Sequence, residues 1–357
     1  MGAVLRELTR EEDPFEQEAE KLGSLAPTGE PVKWFFDGWI PQGYVTLVHG
    51  KGGTGKTSLM ASLALSAAME ETLFPSIAFT NEYIETALCC AEEKSAVIQE
   101  RLITQWGERS GDAFKGMDRI TAYPTPHPLM VRDEYDEWVS SDFLDHMDGR
   151  YDMLIVDPLN MYKGTAKLSD EDDCTALMNI LTEFSRDSDC TVILVHHETK
   201  GTQGRSGTHA GAAPLYDRAR SVIQLEEVSP GTVDVLHKKN NHGPLQPTVR
   251  ITRRDGALHE VQPEEEAGKA VGAALEWLQA HPDAQVTIGG LKLGRGDDAK
   301  AMLAHVKRVC PGSKNGEVSR AMTEATKAGT LAMEQVKGSN GDTKEVLKHH
   351  DYTTSHD

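Results

Sequence analysis

Gly50-Lys-Gly-Gly-Thr-Gly-Lys-Thr57 is the stretch on which the reading of this chain turns. It satisfies the pattern GxxxxGK[ST] at every specified position, and its neighbours suit it. The apolar run Tyr44–Val48 precedes it, and the helix formers of Thr57–Met69 follow. The physical meaning is specific. Glycines adopt φ > 0 at little cost, so successive backbone N–H groups can curl around phosphate oxygens. A helix that begins near Lys56 points its positive end at the same phosphates. Lys56 adds a point charge for the β- and γ-phosphates, and the Thr57 hydroxyl can ligate Mg²⁺. Gly50, Lys51, Gly52, Gly53, Thr54, Gly55, Lys56 and Thr57 are therefore expected to hold ATP.

Outward from this loop the pattern is α/β. Tyr44–Val48, Thr86–Cys90, Met153–Val156 and Thr191–Val195 are apolar throughout. That is the signature of strands covered on both faces, as in a parallel sheet. Thr57–Met69, Lys94–Trp106, Asp133–Met147 and Asp172–Ser185 read as the intervening helices. Met153-Leu-Ile-Val156 ends in Asp157, the acid expected to share Mg²⁺ with Thr57. Val233–Leu236 and Thr248–Ile251 alternate and are set apart by Pro-Gly and Gly-Pro turns, so they read as antiparallel additions to a sheet edge.

The ends are different. Residues 1–30 carry a net charge of −5 and read as an acidic helical arm. Residues 31–262 form the α/β core. Pro263-Glu-Glu-Glu266 opens a C-terminal part, 263–357. Within it Ala267–Gln279, Asp298–Val309 and Glu317–Ala328 have helical periodicity, and Asn340-Gly341-Asp342 joins two short strands as a hairpin turn. Three helices and a hairpin suit a winged-helix-like α+β module or a small helical packing domain.

Composition narrows the functional class. The chain of 357 residues is 38% hydrophobic and 26% charged, which is globular rather than disordered. Its net charge of −19 argues against a protein coated in DNA-binding surface and leaves room for a local basic channel. Five cysteines without a CxxC pair suit a reducing cytosol better than a disulfide framework or a cysteine zinc site. No apolar run reaches the ~18 residues of a membrane span. The N-terminus lacks the apolar core of a signal peptide, and Arg6 stands where myristoylation needs Ser or Thr. A cytoplasmic location is expected.

Lys51-Gly-Gly-Thr-Gly-Lys-Thr57 resembles the loop of ParA/MinD-type partition ATPases, but more than forty residues precede it and no Asp-rich second motif follows. Over residues 31–262 the chain resembles RecA-like ATPases, and most closely the RepA-type hexameric replicative helicases of plasmids and phages. The resemblance rests on Trp34-Phe-Phe-Asp-Gly-Trp-Ile-Pro-Gln-Gly43 and Glu92-Glu93 with Arg101-Leu102. It continues through Asp157-Pro158-Leu159, Val195-His-His-Glu-Thr-Lys200, Arg205-Ser-Gly-Thr and Lys239-Asn-Asn-His-Gly-Pro244. It implies a RecA-like P-loop core with a mostly parallel central sheet, and a homo-hexamer that hydrolyses ATP with Mg²⁺ while moving on single-stranded DNA.

The same resemblance makes Glu92 the acid that orients or deprotonates the attacking water, with Glu93 its stand-in. It makes His197 the polar sensor of the γ-phosphate. Asn241 departs from the family, which often places an arginine finger there. Lys239 and Arg205 become the candidates for a cation given to the neighbouring subunit, with Arg218 and Arg220 behind them. DNA is expected at the loops Tyr162–Lys167 and Lys200–Arg205, through Lys163, Lys167, Lys200 and Arg205. Two other readings stay open: a recombination or annealing ATPase that forms filaments, and an ATP-switched partition or assembly protein.

Overall fold

The apolar runs pair side by side. In the computed structural model the strands are, in chain order, β1 (Trp34–Phe36), β2 (Ile40–Pro41), β3 (Val45–Lys51), β4 (Thr86–Cys90), β5 (Ile120–Tyr123), β6 (Met130–Arg132), β7 (Trp138–Ser140), β8 (Met153–Asp157), β9 (Thr191–Glu198), β10 (Ser221–Ser229), β11 (Thr232–Asn240), β12 (Val249–Arg254), β13 (Ala257–Glu260), β14 (Ala332–Lys337) and β15 (Thr343–Lys348). The helices are α1 (Lys56–Ala68), α2 (Ser95–Trp106), α3 (Ala113–Met117), α4 (Asp142–Met147), α5 (Leu159–Tyr162), α6 (Glu171–Ser188), α7 (Ala213–Arg218), α8 (Pro263–Ala280), α9 (Ile288–Leu293), α10 (Asp297–Val309) and α11 (Asn315–Lys327). The structure describes residues 32–80, 84–107, 113–198, 213–337 and 342–348. The chain divides into two units, Met1–Lys33 and Trp34–Asp357, and the acidic arm expected at 1–30 lies outside the described residues.

The central sheet runs β13-β12-β11-β10-β3-β9-β8-β4-β5. From β10 to β5 the neighbours are parallel, and from β10 to β13 they are antiparallel. This is the RecA-like α/β arrangement that the resemblance implies, with the expected antiparallel edge. Side chains alternate across the sheet. Val48, Leu88, Ile155 and Ile193 join the cluster with Leu59 and Met60 of α1 and Leu102 of α2. Leu47, Cys89, Val156 and Leu194 join the cluster with Leu144 of α4 and Leu177 and Leu181 of α6. Two covered faces explain why these strands read as continuous apolar runs. Truncating a buried leucine such as Leu154 to Ala should cost roughly 2–5 kcal/mol.

Two expectations about local structure need correction. Asp133–Met147 is not one helix. Only Asp142–Met147 is helical, and β6 and β7 form a hairpin before it. The Asp133 carboxylate accepts the N–H groups of Tyr135 and Glu137, and Asp136 takes φ 63°, so a side-chain turn replaces the first helical turns. The C-terminal part has four described helices rather than three, since α9 also forms, capped where Gly290 N–H donates to the Thr287 hydroxyl at 2.9 Å.

That part has a core of its own, including Ala274, Leu278, Leu291, Met302, Val306, Met322 and Leu347. β14 and β15 pair antiparallel, and Leu347 N–H donates to Val286 C=O at 2.7 Å, which ties the hairpin to the segment before α9. The Asn340-Gly341 turn lies outside the described residues.

Candidate nucleotide site

The phosphate loop lies between the end of β3 and the start of α1. Gly53 and Gly55 take φ 82° and 83°, and Gly55 is the residue that opens the helix. Gly50 is required for a second reason: a Cβ there would lie 2.5 Å from the Leu225 carbonyl oxygen on β10. Lys56 is 3% exposed, and its ammonium donates to the carbonyls of Gly50 and Lys51, each at 2.8 Å. Thr54 braces the turn by donating its hydroxyl to Lys51 C=O at 2.9 Å. The side chain of Lys51 is exposed, so this residue serves the loop through its backbone carbonyl.

Parallel pairing brings the remaining candidates to the same edge of the sheet. Gly50 pairs with His197 on β9, and Cys90 at the end of β4 pairs with Asp157 at the end of β8. Ligands of open parallel sheets bind at this carboxyl edge. Asp157 is 2% exposed, and neither of its carboxylate oxygens has a partner in hydrogen-bond geometry. Burial pushes its pKa up to about 6, opposed by the Thr57 hydroxyl and the Lys56 charge and reinforced by Glu92 and Glu93. An unsatisfied buried carboxylate beside a threonine hydroxyl is a hard-oxygen donor set. It fits Mg²⁺.

The two adjacent acids have different surroundings. Glu93 forms a two-pronged ion pair with Arg101 of α2, at 2.5 and 2.6 Å. Glu92, 55% exposed, stands 3.8 Å from His197 Nε2. Burial and the Lys56 charge lower the His197 pKa, against the pull of Glu92. His197 thus stands near the loop lysine and the free-standing acid with its charged form disfavoured.

The other candidates fall elsewhere. Lys239 is half-buried, and its ammonium donates to Asp217 C=O at 2.6 Å and Tyr216 C=O at 3.2 Å. Arg220 is exposed, and its N–H donates to Val45 C=O at the start of β3, so it lies roughly 17 Å along the strand from Gly50. None of the group Arg218, Arg220 and Lys239 is placed beside this chain's own phosphate loop. Arg186, Arg218 and Arg220 line adjoining clefts at that far end of the sheet. Lys200 and Arg205 lie outside the described residues.

The loop carrying Lys163 and Lys167 is more ordered than its Gly/Thr content suggests. Ala166 is buried, Lys163 donates to Ala166 C=O at 2.7 Å, and Asp173 accepts Lys167 N–H at 2.8 Å. Asp173 also accepts from Trp138 Nε1 of β7 at 2.9 Å. Of this pair only Lys167 is exposed, and Lys163 is half-buried.

One cation at the loop escaped the sequence reading. Arg253 on β12 donates to the Ser58 hydroxyl in the first turn of α1 at 2.9 Å. The two residues are 195 positions apart, and no motif marks Arg253.

A family model described as an AAA domain matches residues 11–203. No curated protein matches the chain. Among solved structures, one described as an ATPase domain is 14% identical with a TM-score of 0.44, over 62% of this chain and 86% of that one. The RadB recombinase is 15% identical with a TM-score of 0.43, over 63% and 93%. A DnaB-like replicative helicase, described with its interactions with primase, is 13% identical with a TM-score of 0.46, over 66% and 64%.

Proposed function

The chain belongs to the AAA-domain family, and on that premise we propose that it is an ATP-hydrolysing, RecA-like motor acting on DNA, assembled as a hexameric replicative helicase. The observation that carries the ATPase reading is convergence: Lys56, Asp157, Glu92 and His197 come from four segments to one edge of the sheet. Backbone N–H groups of Gly50–Thr57 cradle the phosphates, and Lys56 exchanges its two carbonyl partners for phosphate oxygens. Thr57 and Asp157 would hold the Mg²⁺. When bound, the cation neutralises charge on the β- and γ-phosphates.

Glu92 orients the attacking water and accepts its proton. Its surroundings support this role, because its near neighbour is His197, whose charged form is disfavoured, whereas Glu93 is committed to Arg101. His197, 3.8 Å from Glu92, relays the presence of the γ-phosphate to the segment that follows β9. Lys167 and Lys200 meet the DNA backbone without reading bases. The charge that completes the site comes from a neighbouring subunit. Arg220 suits this better than Lys239, since it is exposed while Lys239 is held by two carbonyls of its own chain. Arg205 remains a candidate on sequence grounds.

The test combines sizing with and without ATP and single-stranded DNA with a strand-displacement assay. Rings that unwind duplex support the proposal. Filaments without unwinding favour a recombination ATPase, and ATP-gated duplex binding without translocation favours a switch protein. A mixture of Glu92→Gln and Arg220→Ala subunits should recover ATPase activity if the site is shared. No recovery, with subunit exchange demonstrated, removes Arg220 from the site.

A further inference from the structure

The sheet order divides the surroundings of the phosphate loop in two. β9, β8 and β4 lie on one side of β3 and bring His197, Asp157 and the Glu92 segment. β10 to β13 lie on the other. A triphosphate that presents its terminal phosphate to the acids must trail its α-phosphate and nucleoside toward β10–β13. There the loop residues Gly53, Thr54 and Gly55 share a cleft with Leu225, Glu227 and Arg253.

Arg253 is exposed, yet both ends of its guanidinium fork are placed. Nη2 donates to the Ser58 hydroxyl at 2.9 Å, and Nη1 donates to Gly256 C=O at 3.0 Å in the β12–β13 turn. The same Nη2 lies 3.9 Å from the position a Cβ would take on Gly55. Gly55 opens α1, and Ser58 sits in its first turn, where unpaired helix N–H groups attract anions. A guanidinium carries five N–H donors, and the two bonds here leave others for a ligand.

We propose that Arg253 is a nucleotide-contacting residue whose guanidinium binds the α-phosphate of the nucleotide held by Gly50–Thr57. This rests on the ATP reading of that loop. The fork geometry of arginine matches two phosphate oxygens, which a lysine ammonium cannot reproduce. The contact comes from the antiparallel extension, so β12 and β13 form the nucleoside-side wall of the site while β4, β8 and β9 form its hydrolytic wall. Ser58 keeps the guanidinium in place before nucleotide arrives, which limits the ordering cost on binding.

The competing role is a staple that only fastens the β12–β13 turn to α1. Affinities for ADP and for inorganic pyrophosphate separate the two, measured by calorimetry on the full chain and its Arg253→Ala and Arg253→Lys variants. The proposal expects Arg253→Ala to weaken ADP binding roughly tenfold or more, the worth of a hydrogen bond to a charged group. Pyrophosphate, held by Lys56 and the loop, should bind as before, and Arg253→Lys should recover part of the loss. Unchanged ADP affinity would overturn the proposal. An equal loss for ADP and pyrophosphate would also overturn it, because the substitution would then have distorted the loop. A wild-type chain that binds no nucleotide would overturn the ATP reading as well, and that failure shows before any substitution is made.

Discussion

Asp157 and Arg250 are both charged side chains taken largely out of water, and the molecule treats them in opposite ways. At the carboxyl edge of the sheet, Asp157 is buried with two oxygens that have no hydrogen-bond partner. On β12, Arg250 donates to Asp234 through Nε at 2.7 Å and Nη2 at 3.0 Å, and its Nη1 donates to Glu266 of α8. Hydrogen bonding to Asp234 raises the Arg250 pKa still further, whereas burial of Asp157 disfavours its charge. Buried charges are normally paired; on the proposed reading a bound cation would complete the surroundings of Asp157, whereas Arg250 is already paired and marks a joint. Arg250 joins the sheet edge to the C-terminal helices.

Experiments on each side of this contrast can break it. The largest effect is expected at the phosphate loop: Lys56→Ala should abolish ATP turnover while the circular dichroism spectrum and urea midpoint stay near wild type. Wild-type turnover in that variant would remove the loop from the chemistry. Next, Glu92→Gln should slow hydrolysis roughly 10²–10⁴-fold with nucleotide affinity retained, the usual worth of a positioned base. Glu93→Gln should cost less, and the reverse order would show that the Arg101-paired acid is the catalytic one.

At the paired site the readout is stability. Arg250→Ala should lose about 2–4 kcal/mol in urea unfolding, toward the lower end for breaking a buried pair because Glu266 can regain water. A neutral result would mean that the ion pair joins nothing. Asp157→Asn should do the opposite in the nucleotide-free protein. The folded pKa of about 6 lies above the ordinary 3.8, so the native state holds its proton more tightly than the unfolded chain. The stability this represents is fully present below pH ~4 and is lost as pH rises through ~6. The Asn variant should therefore gain about 3 kcal/mol over wild type at pH 8 and nothing at pH 4. An equal gain at both pH values would show that the carboxylate is not strained by its charge. The smallest effect is expected at the loop proposed to meet DNA, where Lys167→Ala should flatten the salt dependence of single-strand binding by about one counterion. An unchanged slope would move the DNA contact elsewhere.

Local chemistry accounts for what could be read early. The phosphate loop is legible because most of its requirements, the positive φ of Gly53 and Gly55 and the Lys56 charge, act within eight residues, and only the tight approach of Gly50 to Leu225 on β10 reaches further. Strands β3, β4, β8 and β9 are legible because burial on both faces leaves an uninterrupted apolar run. The Asp133–Met147 reading failed because apolar spacing there also suits a hairpin, and the Asp133 side chain captures two backbone N–H groups that a helix would need.

The chain sequence by itself determined the nucleotide loop, the parallel core and the pair of acids after β4. Tertiary structure alone gave those acids different surroundings, since Arg101 pairs with Glu93 and Glu92 faces His197. It alone brought Arg253 to Ser58 and kept Arg220 at the far end of β3 from its own loop. The physical reason is range. Glycine conformations and helix dipoles act over a few residues, whereas an ion pair or a hydrogen bond to a distant strand exists only once sheet order and register have brought the two groups within about 3 Å.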